Sequence, residues 1–199
     1  MATTRQSLVD AARKLFGQFG VKNTTMNDIA VESQRGRRTL YTYFKNKNEL
    51  LDAVIEDELQ FVISSLEEVL KLDLEPLEKL IHFITVRMNV VRTAVQRNGS
   101  LQAEFFRDVI RVELVRRKFE KIEIKYLKEL LLNGVEKKVF DVSNIQQTAI
   151  FIHFVMRGLD VPYIRGMFDN PDNEQEDISR IKNKILIMVK GILKEGNDL

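Results

Sequence analysis

Between Gln34 and Asn48 the chain carries Arg35, Arg37, Arg38, Lys45 and Lys47 and no acidic residue. Thr39, Tyr41 and Tyr43 set hydroxyls among those cations. This is chemistry for a polyanion. A guanidinium can bond two acceptors at once, such as guanine O6 and N7, while Lys, Thr and Tyr donors suit phosphate oxygens. The first 50 residues hold nine basic and four acidic side chains, a balance of +5, and the remainder carries −3 within a net formal charge of +2. A basic end on a near-neutral chain points to a polyanionic partner; from charge alone, a solvated helix face fits equally well.

Other chemistries are poorly supplied. The 199 residues include no cysteine and two histidines, His82 and His153, so thiolate metal sites, disulfides and Cys nucleophiles are excluded. HExxH, P-loop, GxGxxG and nucleophile-elbow patterns are absent from the sequence. Glu67 and Glu68 are adjacent and diverge on a helix, so they form no catalytic dyad. An enzyme is not expected, nor any cofactor beyond a small-molecule effector. The longest apolar run, Ile185 to Val189, falls far short of the roughly 20 residues of a membrane span. The first residues lack an apolar h-region, so a cytoplasmic protein is expected.

The elements that must position these residues are helical. Three prolines and nine glycines are few, and the apolar residues recur at three and four. Leu8, Ala12, Leu15, Phe16 and Phe19 predict a helix over 4–19, ended by a left-handed Gly20. Thr25 and Asp28 predict a capped short helix, Gln34-Arg35-Gly36 a turn, and 37–44 a second short helix with Leu40 and Phe44 inward. Asn46 and Glu49 predict the cap of a long helix reaching Leu70, and Pro76 opens the next, to about Gln96. Further helices are predicted at 101–108, from Val112 to Asn133-Gly134, at 143–168 with a kink near Pro162, and around 178–192. The fold class is thus all-α with about nine helices.

Helix, capped helix, turn and basic helix form a helix-turn-helix unit, whose last helix suits the major groove. The stretch Thr24-Thr25-Met26-Asn27-Asp28-Ile29-Ala30 and the run from Thr39 through Phe44 to Leu51 resemble the TetR family of transcriptional regulators, as do Ala11 to Phe16 and Gly20. The resemblance covers residues 5–55. It implies a DNA-binding head at 1–47 and a helical effector-binding and dimerisation domain at 48–199. It also implies a homodimer on a palindromic double-stranded operator, with repression released by a small molecule. By matching position, Thr25 is a cap that meets phosphate, Thr39, Tyr41 and Tyr43 lie in the recognition helix with Tyr43 on phosphate, and Lys47 is the basic residue opening the fourth helix. Arg35, Arg37 and Arg38 complete the expected DNA contacts. The turn departs from the family pattern, and Gly36 is expected to supply the backbone freedom that Gln34 lacks. The competing reading is a helical scaffold whose basic head binds an acidic partner without ligand control.

In the C-terminal part, Phe83, Arg87, Phe105, Phe106, Phe119, Tyr126 and Phe154 are the candidate lining of an effector pocket. Aromatics at helical spacing are also ordinary core residues, and Arg87 could equally lie at the surface. The last two long helices are expected to form the dimer face. The run of Arg111, Arg116, Arg117, Lys118 and Lys121, interleaved with Glu113, Glu120 and Glu123, reads as a solvated helix face.

Overall fold

A computed structural model describes residues 3–96, 109–168 and 174–193. Eight helices lie among them: α1 (Thr4–Asn23), α2 (Met26–Glu32), α3 (Arg37–Tyr43), α4 (Lys47–Lys71), α5 (Pro76–Gln96), α6 (Val109–Glu136), α7 (Ile145–Ile164) and α8 (Glu174–Leu193). The helix expected at 101–108, with Phe105 and Phe106, lies outside the described residues. No described helix is long and apolar enough to cross a membrane. The chain divides into two compact units: residues 1–61 with 93–119, and residues 62–92 with 120–199.

The core of the first unit runs from Leu8 through Phe16, Ile29, Leu40 and Phe44 to Leu50, Val54 and Ile55. Local rules set its helix ends. Thr25 and Asp28 form a capping box, the Asp28 N–H donating to Thr25 Oγ1 at 3.2 Å and the Thr25 N–H to Asp28 Oδ2 at 2.8 Å. Asn46 Oδ1 accepts from the Glu49 N–H at 3.0 Å, but the reciprocal arm reaches one residue further back, to the N–H of Lys45 at 2.8 Å.

α1 differs from expectation at its end. Gly20 does take a positive φ, 79°, but its ψ of 157° is extended, and the chain resumes one more helical turn to Asn23. Val21 and Thr24 are buried beyond the bend, and Phe19 is left exposed, lining a shallow hollow with Val31. The turn after α2 also departs. The Arg35 N–H bonds Ala30 O and the Gln34 N–H bonds Val31 O, both at 3.0 Å, a Schellman closure in which Gln34 holds the left-handed position at φ 54°. Gly36 has an ordinary φ of −64° and merely precedes α3. The freedom assigned to Gly36 is therefore carried by Gln34, because the closure needs its left-handed residue two positions after Glu32.

The second unit buries Leu66, Leu80, Phe83, Ile84, Met88, Leu127, Leu131, Ile152 and Met156. α6 does not stop at Gly134. It continues to Glu136 and closes at Lys138, φ 57°, while Phe140 folds back so closely that a Cβ on Gly134 would sit 2.0 Å from its ring. α7 passes through Pro162 and ends at Ile164, four residues short of expectation, with Gly166 at φ 68°. Arg87 is 1% exposed, its Nε 3.2 Å from Glu123 Oε1 and its Nη1 bonded to Asp160. Burial works against that charge, but Glu123 and Asp160 outweigh it and hold Arg87 protonated. His153 Nδ1 lies 3.2 Å from the same Glu123 oxygen.

Two substitutions should move stability in opposite directions. Gln34→Gly relieves a left-handed non-glycine residue and should stabilise the first unit by about 1 kcal/mol. Gly134→Ala must push Phe140 out of place and should cost about 1–3 kcal/mol. Denaturant melts of both variants check this; a Gln34→Gly protein less stable than the parent would contradict the turn geometry.

Candidate nucleic-acid interface

α3 is seven residues long and Leu40 is its only fully buried side chain. Leu40 and Phe44, one turn apart, fasten the helix, and the other residues are left at or near the surface. Arg37, Arg38 and Tyr41 share the exposed side, and Tyr41 and Tyr43 are each 46% exposed. Arg35 and Lys45 flank the helix, also exposed, and Thr39 is half-buried.

The charges of this surface are unneutralised, whereas those behind it are not. Lys14 pairs with Glu32 at 2.5 Å. Arg13 bonds Asp10 at 2.8 Å and Asp57, and its Nε forms an ion pair with Glu58 Oε1 at 2.9 Å. Partial burial lowers the pKa of Arg13, but the carboxylates of Glu58, Asp57 and Asp10 raise it more, so it stays charged. Arg35, Arg37 and Arg38, by contrast, make no ion pair among the described residues, and the hydroxyls of Tyr41 and Tyr43 have no partner there. Both neighbourhoods were basic in sequence; only the structure shows which cations are already matched.

Two of the expected contacts have internal duties. The Thr25 hydroxyl donates to Asp28 Oδ2 at 2.7 Å, and this bond with the Thr25 N–H holds the Asp28 carboxyl below the usual carboxylate range. Lys47 donates from Nζ to Thr24 O at 2.8 Å and Lys22 O at 3.3 Å, tying the first turn of α4 to the junction of α1 and α2. Sequence reasoning missed this duty because the carbonyls lie 23 and 25 residues away.

Five of the seven candidate pocket residues lie among the described ones. Phe83 is fully buried, Phe119 half-buried, and Tyr126 buried with its hydroxyl donating to Glu67 at 2.6 Å. Arg87 is engaged by Glu123 and Asp160. Phe154 lies on the outer face of α7, 53% exposed. Phe105 and Phe106 are outside the described residues.

Comparison with known proteins agrees with this geometry. The family model for bacterial regulatory proteins of the tetR family matches residues 8–54. The HTH-type transcriptional regulator YhgD of Bacillus subtilis is 29% identical over 202 residues, covering 96% of this chain and 98% of that one. The HTH-type transcriptional regulator SAUSA300_2515 of Staphylococcus aureus is 40% identical over 65 residues, 33% of this chain and 35% of its own. Among solved structures, a transcriptional regulator of Cytophaga hutchinsonii aligns with TM-score 0.72 at 24% identity over 96% of both chains. A TetR-family regulator of Syntrophomonas wolfei aligns with TM-score 0.72 at 20% identity, over 97% of this chain and 98% of its own. The tetR-family model thus matches the helix-turn-helix head, the full-length similarity to an HTH-type transcriptional regulator supports a DNA-binding regulator, and the solved structures share the all-helical fold.

Proposed function

We propose that the chain acts as a cytoplasmic homodimer that binds a palindromic operator through α3 and represses until a small-molecule effector releases it. The observation that carries the DNA reading is the set of unpaired arginines at α3, Arg37 and Arg38 in its first turn and Arg35 just before it, on a helix fastened by one buried leucine. Arg37 and Arg38 stand in the first turn, where side chains meet base edges. Tyr41, Tyr43, Thr39, Arg35 and Lys47 surround them as donors to phosphate; Lys47 uses two of its three N–H groups internally and keeps one, while Thr25 gives both its N–H and its hydroxyl to Asp28 and serves as the cap of α2. Functionally the chain divides at residue 47, with the head before it and effector binding and dimerisation after it.

Arg38→Ala should cost about 1–3 kcal/mol on the preferred duplex and relax one base position, whereas Tyr43→Phe should weaken all duplexes alike. Titrations against a selected and a random duplex separate the two; equal losses for Arg38→Ala would remove its base-reading role.

The dimer reading rests on an exposed apolar stripe. Phe151, Phe154, Gly158 and Val161 recur along one side of α7, and Ile187 of α8 is 72% exposed beside Gly191. A Cβ on Gly158 or Gly191 would meet nothing within 4 Å, so both glycines leave room for close approach of another helix. Phe154→Glu should convert the dimer to monomers in sedimentation, with helicity retained. A variant still dimeric at micromolar concentration would move the interface elsewhere.

Effector control rests on α4. Leu50, Val54 and Ile55 lie in the head core, Arg13 binds Asp57 and Glu58, and the same helix continues into the second unit, to Lys71. In this proposal a ligand acts on the head by displacing the later turns. Coupling of this kind is about 5–150-fold and reciprocal. Titrating a screened, apolar bundle ligand with and without operator reads that factor directly, and equal affinities would eliminate the switch.

A further inference from the structure

Arg5 stands outside the acid-free stretch, at the start of α1. Its guanidinium lies over the ring of Phe44, 5.3 Å from the centroid. Phe44 is buried and directly follows Tyr43, the last residue of α3. Arg5 and Tyr43 line one open hollow of about 440 Å³, with Glu49, Asp52 and Glu56 of α4 on its other side. Those carboxylates are engaged elsewhere. Glu49 accepts from the Lys45 N–H, Glu56 is paired with Lys118, and Asp52 has an interaction of its own. Arg5 is exposed and makes no ion pair among the described residues.

We propose that Arg5 is a further phosphate contact of the DNA interface, held ready by Phe44. The inference rests on the DNA-binding reading and adds a residue to it. The stack fixes the plane of the guanidinium and leaves its N–H edge to a ligand, so little rotamer freedom remains to be lost on binding. An aromatic face alone does not satisfy five N–H donors, and a phosphate presents the paired acceptors that match them. Arg5 and Tyr43 come from opposite ends of the head sequence, yet they line the same hollow at the C-terminal end of α3, the helix that carries Arg37, Arg38 and Tyr41. Together they would grip one stretch of backbone and fix the register of α3 without reading sequence.

The test uses the full chain, a random-sequence duplex of about 20 base pairs, and titrations across a range of salt. Arg5→Ala should lower affinity about tenfold at low salt and reduce the slope of log affinity against log salt by about 0.9, the loss of one phosphate. Arg5→Lys keeps the charge and should keep the slope, with a smaller loss of affinity because the planar stack is gone. An unchanged slope in Arg5→Ala overturns the proposal. So does a slope lost equally in both variants together with a lowered melting temperature, which would make Arg5 a strut of the fold. If Tyr43→Phe weakens binding and Arg5→Ala matches the parent, only the Arg5 assignment falls. If the parent chain retains no duplex at low salt, the DNA reading falls and takes Arg5 with it.

Discussion

A seven-residue helix is not stable alone in water, because nucleation costs more than so few hydrogen bonds return. α3 is such a helix, and its first turn sets two like charges, Arg37 and Arg38, side by side. Everything else in the head follows from having to hold it. Leu40 and Phe44 fasten its inner side to the core that α1 and α4 share. The Schellman closure at Gln34 aims the chain out of α2, at the expense of a left-handed non-glycine residue. Lys47 ties the start of α4 to the carbonyls of Lys22 and Thr24. With its position set by neighbours, α3 is free to carry side chains that contribute nothing to its own stability.

The same division of labour explains where charge is matched. Arg13 sits between α1 and α4 with three carboxylates around it, and Glu58 among them is only 3% exposed. A buried pair of this kind adds little net stability over an apolar contact, but losing one partner strands the other, so it enforces a single arrangement of the two helices. Arg87 with Glu123 and Asp160 imposes the same constraint on α5, α6 and α7. Ion pairs in this chain define geometry, and the cations left over define the surface offered to a polyanion.

What was legible in the sequence is what local chemistry decides. The Thr25–Asp28 box, the Asn46 cap and the opening of α5 at Pro76 each depend on side chains within a few residues, so spacing alone reveals them. The family resemblance placed α3 and its cations for the same reason. What escaped depends on distant chain. Gly134 looked like a helix end, but its missing side chain makes room for Phe140. Phe19 lies on the periodic face of α1, yet the chain bends at Gly20, Val21 is buried beyond the bend, and Phe19 stays uncovered. On α6 the acids alternate with cations in sequence, but Glu123 turns inward to Arg87 and leaves Arg117, Lys121, Lys125 and Lys128 outside. Nor does periodicity tell that Arg87 is matched inside and Phe154 presented outside.

α4 is where these constraints meet. It runs from Lys47 to Lys71, and its turns up to Phe61 belong to the first unit, with Leu50, Val54 and Ile55 in the head core. A hydrogen-bonded helix transmits rotation along its axis far better than a loop would, since bending it costs backbone hydrogen bonds. The Arg13 pairs then decide what rotates. Because Asp57 and Glu58 sit more than two turns after Lys47, α1 is gripped well along α4 as well as at its start. Two grips on one helix prevent the head from swivelling about a single point, so a displacement of α4 carries α3 as part of a body. On the proposed two-half-site operator, the recognition helices of a dimer need that rigidity. The head can be small because α4 lends it an anchor.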